Sequence, residues 1–442
     1  MQDYKAKLGQ LLILILSLIT ILIWFIVRLG TPIFDNYSII THSFGQLLGL
    51  VGMTLFSLSF LLTTRFKFIE GLFGGLDKVY NFHHLVGITS FILILFHPIL
   101  LVLKFIPSDI TQAAKYLLPS SNWAVNLGIF SLSIMIILIV LTLYINIKYQ
   151  NWKVSHKFMG LAYILSCFHI FLVYTDITYY PLLKYYMIFI VIIGLISFLY
   201  ESFIRNYFGN LFIYEVSSIE IKEKITIIEL IPKKRQLDHI PGQFIFIRFF
   251  DKSLSKESHP FTIASAPSNG KIRLAIKSLG DFTEKLKTIK IGTLVEIEGP
   301  YGKFDCRIDN DQIWIAGSIG ITPFLSFAES LENKQCKINN VDLYYAVKNS
   351  SEAIFLDKLK KISSKVKGLN IITNFSETHG HLDLEKIIVS SKTLKNKDIF
   401  ICGPPTMVAK IVSQLRNFGV KEDNIHREDF NLDKIYFNNY LN

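Results

Sequence analysis

Cysteine is scarce in this chain: four in 442 residues, at positions 167, 306, 336 and 402. No two form a CxxC pair. That argues against a disulfide framework or a cysteine zinc site and fits a reducing compartment for the polar half of the chain. The GxGxxG fingerprint of the usual dinucleotide loop is missing as well. Acidic residues are outnumbered by basic ones, 35 to 46, which leaves a net charge of +11. Such a surplus can serve nucleic acid, but here much of it flanks apolar runs. A lipid membrane is therefore the expected partner and nucleic acid is not. The first apolar run is long and no small-residue cleavage site follows it, so no removable signal peptide is expected.

What is present is divided unevenly. Residues 8 to 204 are dominated by Leu, Ile, Phe and Val, whereas residues 205 to 442 resemble an ordinary soluble sequence rich in Lys, Asp and Glu. A membrane-crossing helix needs about 20 apolar residues. Six runs qualify, at 8–27, 39–62, 82–106, 123–147, 154–175 and 181–204. An even number places both chain ends on one side. Lys5, Lys7, Arg65, Lys67, Lys78, Lys148, Lys153, Lys157 and Arg205 flank one set of ends, and only Arg28, Lys104, Lys115 and Lys184 flank the other. The positive-inside bias then puts both termini in the cytoplasm of a multi-pass inner or plasma membrane protein.

Histidines within such runs point to function, because burying them in hydrocarbon is costly. His83 and His97 lie on the third run, 14 apart; His156 and His169 lie on the fifth, 13 apart. Both runs point outward, so one histidine from each defines an inner level and the other an outer level, about 20 Å apart. Two imidazoles at each level form two sites of the kind that hold haem iron with both axial positions filled, suited to electron transfer. One feature fits less well. Fourteen residues bring His83 and His97 to one helix face, but thirteen leave His156 and His169 about 140° apart. The fifth helix must bend or change pitch, or its histidines approach from different sides. His84 is not expected to be a ligand, and His42 is expected to be an ordinary polar residue near the outer interface.

Residues 211–305 alternate apolar and polar in short stretches broken by Gly and Pro, which predicts a small antiparallel barrel. His259-Pro260-Phe261-Thr262 supplies an aromatic and a hydroxyl on one strand, suited to an isoalloxazine and its phosphates. Ile276 and Lys277 end another strand and lead through Gly280, Asp281 and Thr283 into a helix whose N-terminus can cradle a pyrophosphate. From Asp311 strands and helices alternate, as in a parallel α/β sheet. Gly317, Gly320, Ile321, Thr322 and Pro323 join a strand to a helix, an anion-binding arrangement. Cys402, Gly403, Pro404 and Pro405 follow a later strand; Cys402 is either packed core or a nicotinamide contact. Lys348, after another strand, is either the cation for a 2′-phosphate or a plain surface lysine.

Taken together, these residues resemble the ferric reductase and NADPH oxidase superfamily of transmembrane flavocytochromes, over nearly the full length. In that family the haem ligands on the third and fifth helices are separated by 13 and 12 residues, as His83, His97, His156 and His169 are. The family's H-P-F-T flavin motif matches His259 to Thr262, its nicotinamide loop Gly317 to Pro323, and its C-G-P-P loop Cys402 to Pro405. Phe430 resembles the aromatic that covers the flavin ring, although twelve residues follow it.

The resemblance implies three domains: a six-helix haem-binding bundle (1–205), an FAD-binding antiparallel barrel (206–308) and a nucleotide-binding α/β domain (309–442). It also implies FAD, two haem b groups and NADPH, with NADH as the alternative, and assigns Thr262, Cys402 and Phe430 to the hydride-transfer centre. Electrons would pass outward to molecular oxygen, giving superoxide, or to a ferric chelate. No obligate protein partner is expected. A nucleotide-regulated proton channel or transporter, using the histidines as a proton path, is the competing class.

Overall fold

The computed structural model describes residues 2–106, 108–145, 149–205, 211–255, 257–306, 310–336, 338–391, 394 and 396–428. Phe430 and Lys148, and the expected junction residues 206 and 308–309, lie outside them. The chain divides into two compact units at about residue 207.

The first unit contains six helices long and apolar enough to cross a membrane: Lys7–Val27, Tyr37–Leu61, Leu76–Leu103, Trp123–Tyr144, Asn151–Leu172 and Pro181–Ile204. All six expected spans are present. The third begins six residues earlier than hydropathy suggests, because its polar first turns, from Leu76 through His84, are helical too. The second span is the most enclosed, and the others keep Leu, Ile and Phe side chains exposed along one face, as lipid contact requires. Hydroxyls inside the bundle bond to backbone or to one another. Ser90 donates to the Gly52 carbonyl across spans two and three (2.8 Å), and Ser131 to the Ala162 carbonyl across spans four and five (2.7 Å). Small residues bring these helices close: a Cβ on Gly45 would stand 2.9 Å from the Leu101 side chain.

The fifth span is broken. Helix runs from Tyr149 to Lys157 and again from Met159 to Leu172, with Phe158 between them. The break is tight: Phe158 N–H donates to Ser155 O and Leu161 N–H to Phe158 O, both at 3.0 Å. Such three-residue turns advance about 120° per residue where an α-helix advances about 100°. A local pitch change, one of the two outcomes the 13-residue interval left open, is therefore present between His156 and His169, and it turns in the sense that reduces their angular separation.

The second unit contains two sheets. Strands β1 (Leu211–Lys222), β2 (Ile225–Pro232), β3 (Phe244–Phe249), β4 (His259–Thr262), β5 (Ile272–Lys277) and β6 (Leu294–Tyr301) form one antiparallel sheet in the order β4-β3-β6-β1-β2-β5. An antiparallel bridge from Ile263 to Leu274 draws the two edges together. Alternate residues such as Tyr214, Val216, Val295 and Ile297 fill the interior.

Strands β7 (Gln312–Gly317), β8 (Val341–Val347), β9 (Leu369–Phe375), β10 (Asp398–Cys402) and β11 (Ile425–Glu428) form a parallel sheet in the order β11-β10-β7-β8-β9. β7 and β10 are buried along their whole length, as strands covered on both faces must be. Strand order reverses between β7 and β10, so the crevice at their carboxyl ends is the topological switch point where such sheets take ligands. Barrel and parallel sheet are joined through Glu329 on the helix Thr322–Glu332. Its carboxylate accepts from the Ala266 N–H at 3.0 Å and the Arg273 guanidinium at 2.6 Å, and also pairs with Lys358.

Candidate redox sites

At the level expected to be outer, the sequence-predicted histidines meet. The imidazoles of His97 and His169 stand with ring centroids 6.3 Å apart and planes at 74°. Each is held from behind in the same way. His97 Nδ1 donates to the Gly45 carbonyl on the second span at 2.7 Å, and His169 Nδ1 to the Ala124 carbonyl on the fourth at 2.7 Å. A carbonyl only accepts, so Nδ1 carries the proton in each ring and Nε2 keeps its lone pair for a metal. Each ring also lies over the glycine four residues on. A Cβ at Gly49 would stand 2.7 Å from His97 Nδ1, and one at Gly128 would stand 2.7 Å from His169 Nδ1.

At the inner level His83 Nδ1 donates to the Ser59 carbonyl at 3.0 Å. Ser59 lies in the last turn of the second span, where carbonyls lack an intrahelical donor. His156 stacks on Trp152, centroids 5.3 Å apart at 23°, and lies within electrostatic reach of both His83 and His84. His84 packs edge-on against His83. His97, Lys104 and Arg28 lie within electrostatic reach of His42.

The His97–His169 pair fits bis-imidazole ligation. Two metal–nitrogen bonds of about 2 Å each, plus the two ring radii, span about 6 Å, which is the His97–His169 separation. No group of three or more His, Cys, Asp or Glu side chains gathers to hold a metal among the described residues, and two-imidazole sites need none. The signal that sequence reading missed is Gly45-x-x-x-Gly49 and Ala124-x-x-x-Gly128, small-xxx-small patterns that let helices approach closely.

In the antiparallel sheet Thr262 is buried, and its Oγ1 has no hydrogen-bond partner among the described residues. A buried hydroxyl left bare is costly, and this one ends the strand expected to meet a flavin. Ser278 Oγ, beside the expected pyrophosphate loop, is bare as well. His259 stacks on Phe282 with centroids 3.7 Å apart, Phe261 lies nearly parallel to the same ring, and Pro260 pairs with Phe246 on β3.

The expected phosphate cradle is modest. The helix after Gly280 has only five residues, Asp281–Lys285, and Thr283 Oγ1 is engaged by the Leu279 and Gly280 N–H groups. Lys277, one residue past Ile276, reaches elsewhere: its Nζ donates to Ser318 Oγ at 2.8 Å and lies 3.7 Å from Glu352. It thus joins the barrel to the glycine loop of the parallel sheet.

Within that loop Ser318 adopts φ +50°, an uncommon left-handed conformation for a residue other than glycine. The loops after β7 and β10 touch backbone to backbone: a Cβ on Gly317 would meet Pro404 and Met407, and one on Gly320 would meet the Cys402 carbonyl. Ile321 is fully buried, Thr322 Oγ1 donates to the Ile319 carbonyl, and Pro323 opens the helix Thr322–Glu332. Pro404 caps the helix Pro405–Asn417. Of the two readings left open for Cys402, the structure supports packing, since the residue is fully buried in the apolar core beneath the loop that Gly403 begins. Lys348 is paired with Glu377 at 3.4 Å.

Residues 48–167 match the family described as ferric reductase like transmembrane component, residues 213–305 an FAD-binding domain, and residues 314–413 an oxidoreductase NAD-binding domain. The chain has the layout of the ferric reductase and NADPH oxidase family. It combines a ferric reductase-like membrane domain, with six apolar helices, and FAD- and NAD-binding domains. It is similar to flavohemoprotein A of Dictyostelium discoideum, 28% identical over 212 residues, covering 43% of this chain and 52% of that one. It is also similar to the probable dihydroorotate dehydrogenase B electron transfer subunit of Pyrococcus horikoshii, 28% identical over 177 residues, covering 40% and 64%. The chain thus spans about half to two-thirds of the length of these curated relatives. Among solved structures, the FAD/NAD-binding domain of nitric oxide dioxygenase from Vibrio cholerae aligns with TM-score 0.44 and 21% identity, covering 49% of this chain and 97% of that one.

Proposed function

We propose that this ferric reductase-type oxidoreductase carries electrons from cytosolic NAD(P)H, through FAD and two b-type haems, to an acceptor on the far side of the membrane. The observation that carries the reading is the His97–His169 pair, whose spacing and carbonyl-fixed tautomers suit one metal between two Nε2 atoms. His83 and His156 are proposed as the inner pair. When bound, the flavin converts a two-electron hydride donor into single-electron transfers, which haem iron accepts.

The chain's own residues supply position. The carbonyls of Gly45, Ala124 and Ser59 set the imidazole tautomers. Thr262 Oγ1 offers an unused hydrogen bond to the flavin ring, while His259 and Phe261 stack with Phe282 on the other face of the same strand. Gly317, Gly320 and Gly403 let the loops after β7 and β10 pack closely at the strand ends where the dinucleotide is proposed to bind. Phe430 is proposed to cover the flavin. The Lys and Arg bias of the loops supports cytoplasmic termini.

If the two histidine pairs hold the haems, an acceptor would be reduced without binding iron, which favours a small molecule. Molecular oxygen, giving superoxide, is the proposed acceptor, and a ferric chelate is the alternative. Purified protein loaded with FAD and haem is given NAD(P)H in air, with cytochrome c as reporter. Reporter reduction abolished by superoxide dismutase supports oxygen. Insensitive reduction with brisk nucleotide consumption supports a metal chelate or direct transfer. A haem-free protein that conducts protons would support the channel class instead.

A further inference from the structure

The carboxyl edge of the parallel sheet holds a charge arrangement that bears on which dinucleotide binds. β8 and β9 are parallel neighbours, with Val347 opposite Phe375 at their ends. Lys348 and Glu377, just past those ends, meet on the ligand side of the sheet. Glu377 is fixed there by three contacts. Its Oε1 lies 3.4 Å from Lys348 Nζ, its Oε2 accepts from Asn349 Nδ2 at 3.2 Å, and its N–H donates to the Lys348 carbonyl at 3.1 Å. Asn349 is itself pinned, its Oδ1 accepting from the Glu352 N–H at 3.3 Å and the Ser351 hydroxyl at 2.9 Å.

In open α/β sheets the end of the second strand separates the two dinucleotides. An acidic side chain there accepts from the free ribose hydroxyls of NADH, whereas a cation accommodates the 2′-phosphate of NADPH. β8 is the second strand of this sheet in chain order. Lys348 alone would suit a phosphate, as the sequence suggested. Glu377 cancels its charge and sets two acceptor oxygens where a phosphate would bring further negative charge. Neighbouring ammonium groups have other partners. Lys386 Nζ donates to the His379 and His381 carbonyls at 2.6 and 2.7 Å, and Lys277 faces Glu352 and Ser318. A ribose with both hydroxyls free brings donors that a carboxylate can accept.

We propose that Glu377 is a specificity-determining residue that rejects the 2′-phosphate, so that the physiological reductant is NADH. This rests on the reading that a dinucleotide binds at the β7–β10 crevice and extends its adenosine half toward β8. Glu377 and Lys348 are roughly half exposed, so solvent screens the repulsion, and a preference of about tenfold or more is expected.

The test uses the full chain in detergent. Calorimetry compares ADP-ribose with its 2′-phosphorylated form, which measures binding without turnover. Ferricyanide reduction gives kcat/KM for NADH and NADPH. The expected result is tighter ADP-ribose binding and an NADH preference of about tenfold or more. In Glu377→Gln the preference narrows or reverses, mainly through a lower KM for NADPH. In Lys348→Gln the discrimination against NADPH persists or grows. A wild-type protein that favours NADPH, or a Glu377→Gln variant with an unchanged ratio, overturns the proposal. If neither ribose compound binds and neither nucleotide is consumed, the nucleotide site itself is wrong and the inference falls with it. A wrong specificity assignment would still leave one nucleotide bound.

Discussion

His97 and His169 face one another from different membrane spans, with ring centroids 6.3 Å apart, and each is held by a backbone carbonyl, on the second span for His97 and on the fourth for His169. Spans two and three build one half of this arrangement, and spans four and five build the other. In each half a histidine Nδ1 reaches a carbonyl while its ring lies over the glycine four residues further on. A helical carbonyl is normally occupied by the N–H four residues later. A glycine at that later position leaves room for an imidazole to share the carbonyl.

The first prediction tests this pair directly. Replacing His97 or His169 with leucine removes one ligand and should lower haem content per protein by half, read from the pyridine haemochrome spectrum. Flavin reduction by nucleotide should persist, because the flavin and nucleotide residues lie in the other unit. Full haem retention in either variant would mean that the facing rings are a packing feature.

The glycines give a second prediction. In Gly49→Val or Gly128→Val the new side chain enters space that the imidazole occupies, with the nearest ring atom at 2.7 Å from the Cβ position. The ring must rotate and give up its carbonyl. Loss of such an outer-shell hydrogen bond typically costs about 10–100-fold in metal affinity. The measurement is haem retention and the midpoint potential of each haem. One potential should move while the other stays. If neither moves, the carbonyl bonds do not tune the site.

Much of this was legible in the sequence because it depends on local spacing. Six apolar runs, the 14- and 13-residue histidine intervals and the strand-loop-helix at Gly317 all follow from chain order alone. The interval of thirteen left either a pitch change or an approach from different sides, and the three-residue turn at Phe158 supplies a pitch change. What could not be read depends on partners distant in sequence. Gly45 and His97 are 52 residues apart, and Lys348 and Glu377 meet only because β8 and β9 lie side by side. Lys277 stands at the head of the expected pyrophosphate loop, and its long side chain spans to Ser318, 41 residues later. Side-chain reach across a domain junction leaves no periodic trace in the sequence.

The junction itself yields a third prediction. Burial of Glu329 opposes ionisation, but the cations of Arg273 and Lys358 and the Ala266 N–H outweigh it and hold the carboxyl below its ordinary value. A carboxyl with a depressed pKa in the folded state stabilises fully above its unfolded pKa, and the contribution is lost as pH falls through the folded value. The junction should therefore be firm at neutral pH and weaken below about pH 4.5. Glu329→Gln should remove about 2 kcal/mol at pH 7, seen as earlier release of FAD on heating, with a much smaller difference from wild type at about pH 2, well below the ordinary carboxyl value. An equal difference at both pH values would show that shape, and not charge, matters there.

Thr262 permits a test in which stability and function are expected to part. Its hydroxyl is buried with no partner among the described residues, so in the flavin-free protein it carries a desolvation cost with no return. Valine has nearly the same shape and no polar atom. Where a bare hydroxyl is replaced in this way, stability is unchanged or improved. Thr262→Val should therefore leave the melting temperature of the flavin-free protein the same or slightly higher. If the hydroxyl bonds to bound flavin, the same change should weaken FAD binding or slow flavin reduction by about tenfold, since one hydrogen bond contributes roughly 1.4 kcal/mol or less. A purely structural hydroxyl predicts the reverse, a less stable apoprotein with normal flavin reduction. Measuring both quantities on one variant separates the two roles without any assumption about the final electron acceptor.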